Sequence, residues 1–150
     1  MNPETKDLLR RFDEPGAFEF PTHFEYPDLE RRAKLVYADA KAFGLNVRFE
    51  GAVYNQDASF SIAILLHDYE RNDAAGLYQP TVRFSNFGNL ATMTWIDQIP
   101  DATGEIIRSS LERHGFIYVF ADELDCEYDG TMAERKDVFR TWWIRYFDWL

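Results

Sequence analysis

The residues of this chain best suited to chemistry are carboxylates. Asp122-Glu123-Leu124-Asp125-Cys126-Glu127-Tyr128-Asp129 places five of them in eight positions. Three kinds of chemistry fit such a run. It is a solvated acidic loop, a docking face for a basic protein with Tyr128 as an aromatic anchor, or a cation site. The cation reading has a partial match. Asp125, Glu127, Asp129 and Gly130 fall at the first, third, fifth and sixth places of an EF-hand loop. The twelfth place, which needs a bidentate glutamate, holds Lys136. No metal or other cofactor is therefore expected.

The remaining reactive residues form no signature. His23, His67 and His114 lie far apart and match no zinc-ligand spacing. His67 is expected at a strand end and His114 at a helix C-terminus, where a cation suits the dipole. Cys126 sits among carboxylates, which disfavour the thiolate, so a poor nucleophile is expected. No nucleophile-elbow, P-loop or dinucleotide-binding motif is present. No catalytic residue is assigned. The alternative is a small enzyme or ligand-binding domain with a pocket between sheet and helices, built from some of His23, His67, Glu70 and Tyr54. Fold-built pairings of that kind depend on space rather than sequence.

Composition sets the frame for these groups. The chain has 150 residues, 46% hydrophobic and 17% aromatic, enough for one domain with its own core and no staple. A lone cysteine excludes an internal disulfide. The polar start, Met1-Asn2-Pro3-Glu4-Thr5-Lys6, is unlike a signal peptide, and Ile62–Leu66 is too short to span a bilayer. A cytoplasmic protein is expected. Acidic residues outnumber basic ones 26 to 16, for a net charge of −10. That sign disfavours nucleic acid and anionic membranes as partners and favours encounter with a basic protein. The same charge also serves solubility alone.

The patterning predicts a single α+β domain over 1–150, with an irregular N-terminal segment over 1–27 and a short helix near Thr5–Phe12. A helix is predicted over Pro27–Phe43, with Leu29, Ala33, Val36, Ala40 and Phe43 on one stripe and Gly44 as its C-terminal cap. Asn46–Tyr54 and Ser59–His67 alternate as a hairpin around Asn55-Gln56-Asp57. Thr81–Ser85 and Leu90–Ile96 form a second, across Asn86-Phe87-Gly88-Asn89. Glu70–Gln79 reads as a loop. Asp101 or Thr103 caps a second helix with Ile106, Ile107, Ser110, Leu111 and His114 on one face, ending at Gly115. Phe116–Phe120 is a strand. The C-terminal aromatics fit both periods, and their strand-forming composition tips residues 131–150 toward a strand. The expected architecture is an antiparallel sheet of about five to six strands packed with two main helices.

The run Arg83-Phe84-Ser85-Asn86-Phe87-Gly88-Asn89-Leu90, with the ending Trp142-Trp143-Ile144-Arg145-Tyr146-Phe147-Asp148, resembles small bacterial proteins, among them acidic α+β immunity proteins of polymorphic-toxin and contact-dependent-inhibition systems. The resemblance covers the C-terminal half and carries no residue-level roles. It implies a non-enzymatic inhibitor that neutralises a cognate toxin, often a basic nuclease. The candidate contacts are Asp122, Glu123, Asp125, Glu127, Tyr128 and Asp129.

Overall fold

In the computed structural model, residues 1–51 and 62–148 are described. The N-terminal helix α1 runs Pro3–Arg11, with Asn2 as its cap and Pro3 in the first turn. Asn2 Oδ1 accepts the amide of Glu4 at 2.9 Å. Helix α2 (Tyr26–Ala42) buries Leu29, Ala33, Val36 and Ala40. Phe43 leaves the predicted stripe and is exposed, because it is already the cap residue. Gly44 follows at φ +83°. The amides of Gly44 and Leu45 then bond the carbonyls of Lys41 and Ala40, which satisfies two orphan acceptors of the last turn.

The main sheet has the order β1 (Val47–Glu50), β2 (Ile62–Leu66), β5 (Thr81–Phe84), β6 (Leu90–Met93), β7 (Ile117–Tyr118). Strands β1 (Val47–Glu50) and β2 (Ile62–Leu66) pair antiparallel, with Val47 opposite Leu66. Their predicted turn at Asn55-Gln56-Asp57 lies outside the described residues. The predicted loop after β2 instead contains a small exposed hairpin, β3 (Arg71–Asp73) with β4 (Gly76–Tyr78). Strand β5 (Thr81–Phe84) pairs antiparallel with β2 and with β6 (Leu90–Met93). The β5–β6 turn uses positive φ at Gly88 and Asn89. Gly88 also admits the Phe12 ring, which an added Cβ would meet at 2.2 Å.

Helix α3 (Asp101–Arg113) has Pro100 at its cap position; Thr103 lies inside it, buried, with its hydroxyl 3.2 Å from that of Tyr69. The helix ends at Gly115 with the same pair of bonds as α2, Gly115 to Glu112 and Phe116 to Leu111. As a crossover it returns the chain in its original direction. Strand β7 (Ile117–Tyr118) is therefore parallel to β6, and the sheet is mixed rather than wholly antiparallel. The short helix α4 (Ala121–Leu124) follows.

The C-terminal segment corrects the strand expectation. Trp142–Tyr146 is a helix, α5, capped by Thr141 Oγ1 accepting the Ile144 amide. A helix puts Trp142, Arg145 and Tyr146 on one buried face, whereas a strand would turn neighbours to opposite sides. Among the described residues of this segment, one bridge between Glu127 and Thr141 is all that pairs as β structure.

The sheet separates two cores. Leu29, Val36, Ile64, Val82, Met93, Ile107 and Leu111 fill the side under α2 and α3. Leu9, Phe87, Leu90, Leu124, Tyr128, Phe139, Trp142 and Tyr146 fill the side under α1, α4 and α5. Helices α2 and α3 are joined by Asp39, whose Oδ2 accepts from Ser110 Oγ at 2.6 Å and Arg113 at 3.0 Å and lies 2.9 Å from His114 Nε2. The Ser110 hydroxyl, and after it His114 and Arg113, hold the Asp39 carboxyl below the usual aspartate range. A depressed carboxyl adds stability that is complete above its unfolded value and fades as the pH falls through the folded one. In acid titrations below about pH 4, Asp39→Asn should therefore lose less stability than the parent; parallel curves would exclude this linkage.

Candidate functional site

The acidic segment leaves the sheet edge at β7, passes through α4 and runs on beside α1. That path decides what its carboxylates can do. Glu123 is taken up by the N-terminus: its Oε1 accepts the Asn2 amide and its Oε2 the Thr5 hydroxyl, each at 2.9 Å. Asp129 Oδ2 is held by Lys6 Nζ at 2.6 Å and by Arg10 at 2.8 Å. Its carboxyl lies below the usual range, first through the Lys6 hydrogen bond. Glu127 pairs with Lys136, which lowers its carboxyl in the same way. Asp122 and Asp125 are exposed, and their carboxylates have no hydrogen bond or ion pair among the described residues.

Tyr128, expected as an outward anchor, is 1% exposed. Its ring packs edge-on to Trp142 at 4.7 Å between centroids. Its hydroxyl donates to Asp13 Oδ2 at 2.7 Å and accepts the Met132 amide at 3.1 Å. Burial, then the Asp13 bond, push the phenol above its ordinary value. The tyrosine holds the core and has no surface to offer a partner. The EF-hand pattern does not assemble either, since Glu127 and Asp129 turn to different cations. Among the described residues no group of three or more His, Cys, Asp or Glu is placed to hold a metal ion.

The pocket alternative meets mixed geometry. A surface cleft of about 260 Å³ lies between residues 21–25, the start of α2 and the β5–β6 turn. His23, Glu25, Asp28, Arg32, Ser85 and Asn86 are among its walls. No hydrogen bond joins His23 to a carboxylate among the described residues, and Asp28 is already engaged by Arg31 and Arg32. His67 lies elsewhere, 2.7 Å from Gln79 and 3.8 Å from Glu70. Tyr54 is outside the described residues. The cleft can donate and accept hydrogen bonds, but among the described residues it holds no histidine joined to a carboxylate. The void between α2, α3 and the sheet is apolar and of about 10 Å³, room for one water at most.

A surface that the patterning missed lies at the end of the sheet toward which β6 and β7 both run. Their parallel register sets Leu90 beside Ile117 and Ala91 beside Tyr118. The chain beyond each strand thus emerges on the same side, at Trp95 and at Phe120, each 47% exposed. The Pro80 end of β5 is there too, since Thr94 bonds Thr81, and brings Tyr78 edge-on to Trp95 at 4.7 Å. Leu77 beside it is 57% exposed. Arg108 lies over both Tyr118 and Phe120. The one sequence clue was Trp95 at the end of a strand pattern, which cannot tell a buried ring from an exposed one.

No protein-family model, curated protein or solved structure matches this chain. Among the described residues no helix is long and apolar enough to cross a membrane.

Proposed function

We propose that this chain is a non-enzymatic binding protein, an immunity-type inhibitor that sits on a basic toxin such as a nuclease and blocks it. One observation carries the reading. On a chain of net charge −10, Asp122 and Asp125 are exposed without ionic partners among the described residues, next to the half-exposed Phe120. Glu123, Glu127 and Asp129 are already neutralised or bonded within the molecule. They shape the segment rather than meet the partner. Unpaired carboxylates beside an aromatic suit a cationic surface, with charge governing encounter and the ring governing residence.

The partner to test is the C-terminal domain of a secreted toxin encoded beside this chain. Co-expression should rescue growth from that domain. Association should slow several-fold between about 50 and 500 mM salt, where the screening length shrinks. Asp122→Asn/Asp125→Asn should slow association at low salt and flatten the salt dependence. No such neighbour, no rescue, or binding indifferent to salt would refute the proposal.

A further inference from the structure

We infer that the partner is gripped through the end of the sheet at which Trp95, Leu77 and Phe120 are exposed, with Trp95 as the principal anchor. The inference rests on the reading of the chain as a binder of a basic protein and assigns that binder its contact surface. Three independent features converge there. Trp95 has φ +53° and ψ +40°, the left-handed region. For a residue with a Cβ that conformation is strained, and a bulky ring gains nothing from it locally, where asparagine or glycine would sit at ease. Strain of this kind persists where the surroundings enforce it, and it gathers at functional sites.

The strain is spent on exposure rather than burial. The indole is 47% exposed, and the edge-on Tyr78 ring holds it in one orientation. Tyr78 is itself fixed by Arg71, whose guanidinium lies 4.6 Å above it. A rigid, half-exposed tryptophan loses little freedom on docking, which is the property of an interface anchor. Leu77, next to Tyr78 in the chain, and Phe120, just beyond β7, add exposed apolar area at the same end of the sheet.

Charge selects the occupant. Asp97, in the turn after Trp95, and Asp122, just beyond Phe120, are exposed and have no ion pair among the described residues. The arginines on these rings, Arg71 and Arg108, are paired with Asp73 and Glu105, so the charge left without a partner near the apolar surface, among the described residues, is carboxylate. A second copy of this chain would bring the same carboxylates against themselves. A basic protein with an apolar pocket on its cationic face is complementary to both features.

The test uses the full chain and the toxin domain named above. Trp95→Asn relieves the backbone strain, since asparagine tolerates positive φ. Its melting temperature should match or exceed that of the parent. Its affinity for the toxin domain, measured by calorimetry, should fall at least about 30-fold, the scale of an interface hot spot. Leu77→Ser, on the exposed hairpin, should weaken binding by roughly tenfold with little change in melting. A marked drop in the melting temperature of Trp95→Asn would make the tryptophan a structural residue and overturn the inference. So would unchanged affinity in both variants alongside weakened binding in Asp122→Asn/Asp125→Asn, an outcome that leaves the binding function standing. A dimer in light scattering that Trp95→Asn abolishes would assign the surface to self-association and also overturn it. Failure of the parent chain to bind the toxin domain would remove the function and, with it, this surface.

Discussion

Replacing Arg145 by methionine is expected to destabilise the fold by about 3–5 kcal/mol, the cost of leaving a buried charge without its partner. Both Arg145 and Asp13 have fully buried side chains, and Nε lies 2.8 Å from Oδ1. The guanidinium also reaches the carbonyls of Phe18 and Glu14, and it lies over the rings of Phe87, Phe139 and Tyr146. Asp13 Oδ2 meanwhile accepts from the Tyr128 hydroxyl and from the amide and hydroxyl of Thr131. Methionine keeps most of the side-chain bulk and removes the charge, so Asp13 remains buried as an uncompensated anion. The double variant Asp13→Asn/Arg145→Met should be less damaged than Arg145→Met alone, because no charge is then stranded. Urea unfolding of the set would decide the matter. A loss below about 1 kcal/mol for Arg145→Met, the range of surface pairs, would mean that the pair contributes nothing special.

Gly130→Ala should strike the same network sterically, at about 2–4 kcal/mol, through overpacking and loss of buried hydrogen bonds. A Cβ at Gly130 would lie 2.0 Å from Asp13 Oδ2 and 2.5 Å from the Tyr128 ring. Neither neighbour can yield cheaply. The carboxylate is held by its donors, and the ring is wedged against Trp142 and Phe139. Gly104→Ala is the control. It lies within α3, and its added Cβ would meet nothing nearer than Arg108 at 4.0 Å. That substitution should stabilise by roughly 0.5–1 kcal/mol, the ordinary gain of alanine over glycine in a helix. Equal effects at the two glycines would refute the steric argument.

Elements that rest on local physics are legible in the sequence. The stripe Leu29, Ala33, Val36, Ala40 and the glycines after each long helix made α2 and α3 legible. The turn residues from Asn86 to Asn89 did the same for the β5–β6 hairpin. Legibility failed where a remote segment decided the outcome. Strand composition at Thr141–Phe147 suggested a strand, yet the aromatic face of α5 is ordered by α1 and by the loop carrying Asp13. The parallel β7 followed from a crossover that element order alone does not orient.

The acidic run shows the division most plainly. Its composition established that this is an acidic α+β chain and where its carboxylates cluster. Which of them are free was settled in space: Lys136 pairs with Glu127 nearby, and the rest is decided by residues more than a hundred positions away. Lys6 and Arg10 neutralise Asp129, Thr5 takes Glu123, and Asp13 draws Tyr128 inward. Charge is additive along a chain and can be counted there. Pairing, burial and exposure are properties of distance. Only the folded arrangement could leave Asp122 and Asp125 unpaired and bring Trp95 and Phe120 out at one end of the sheet.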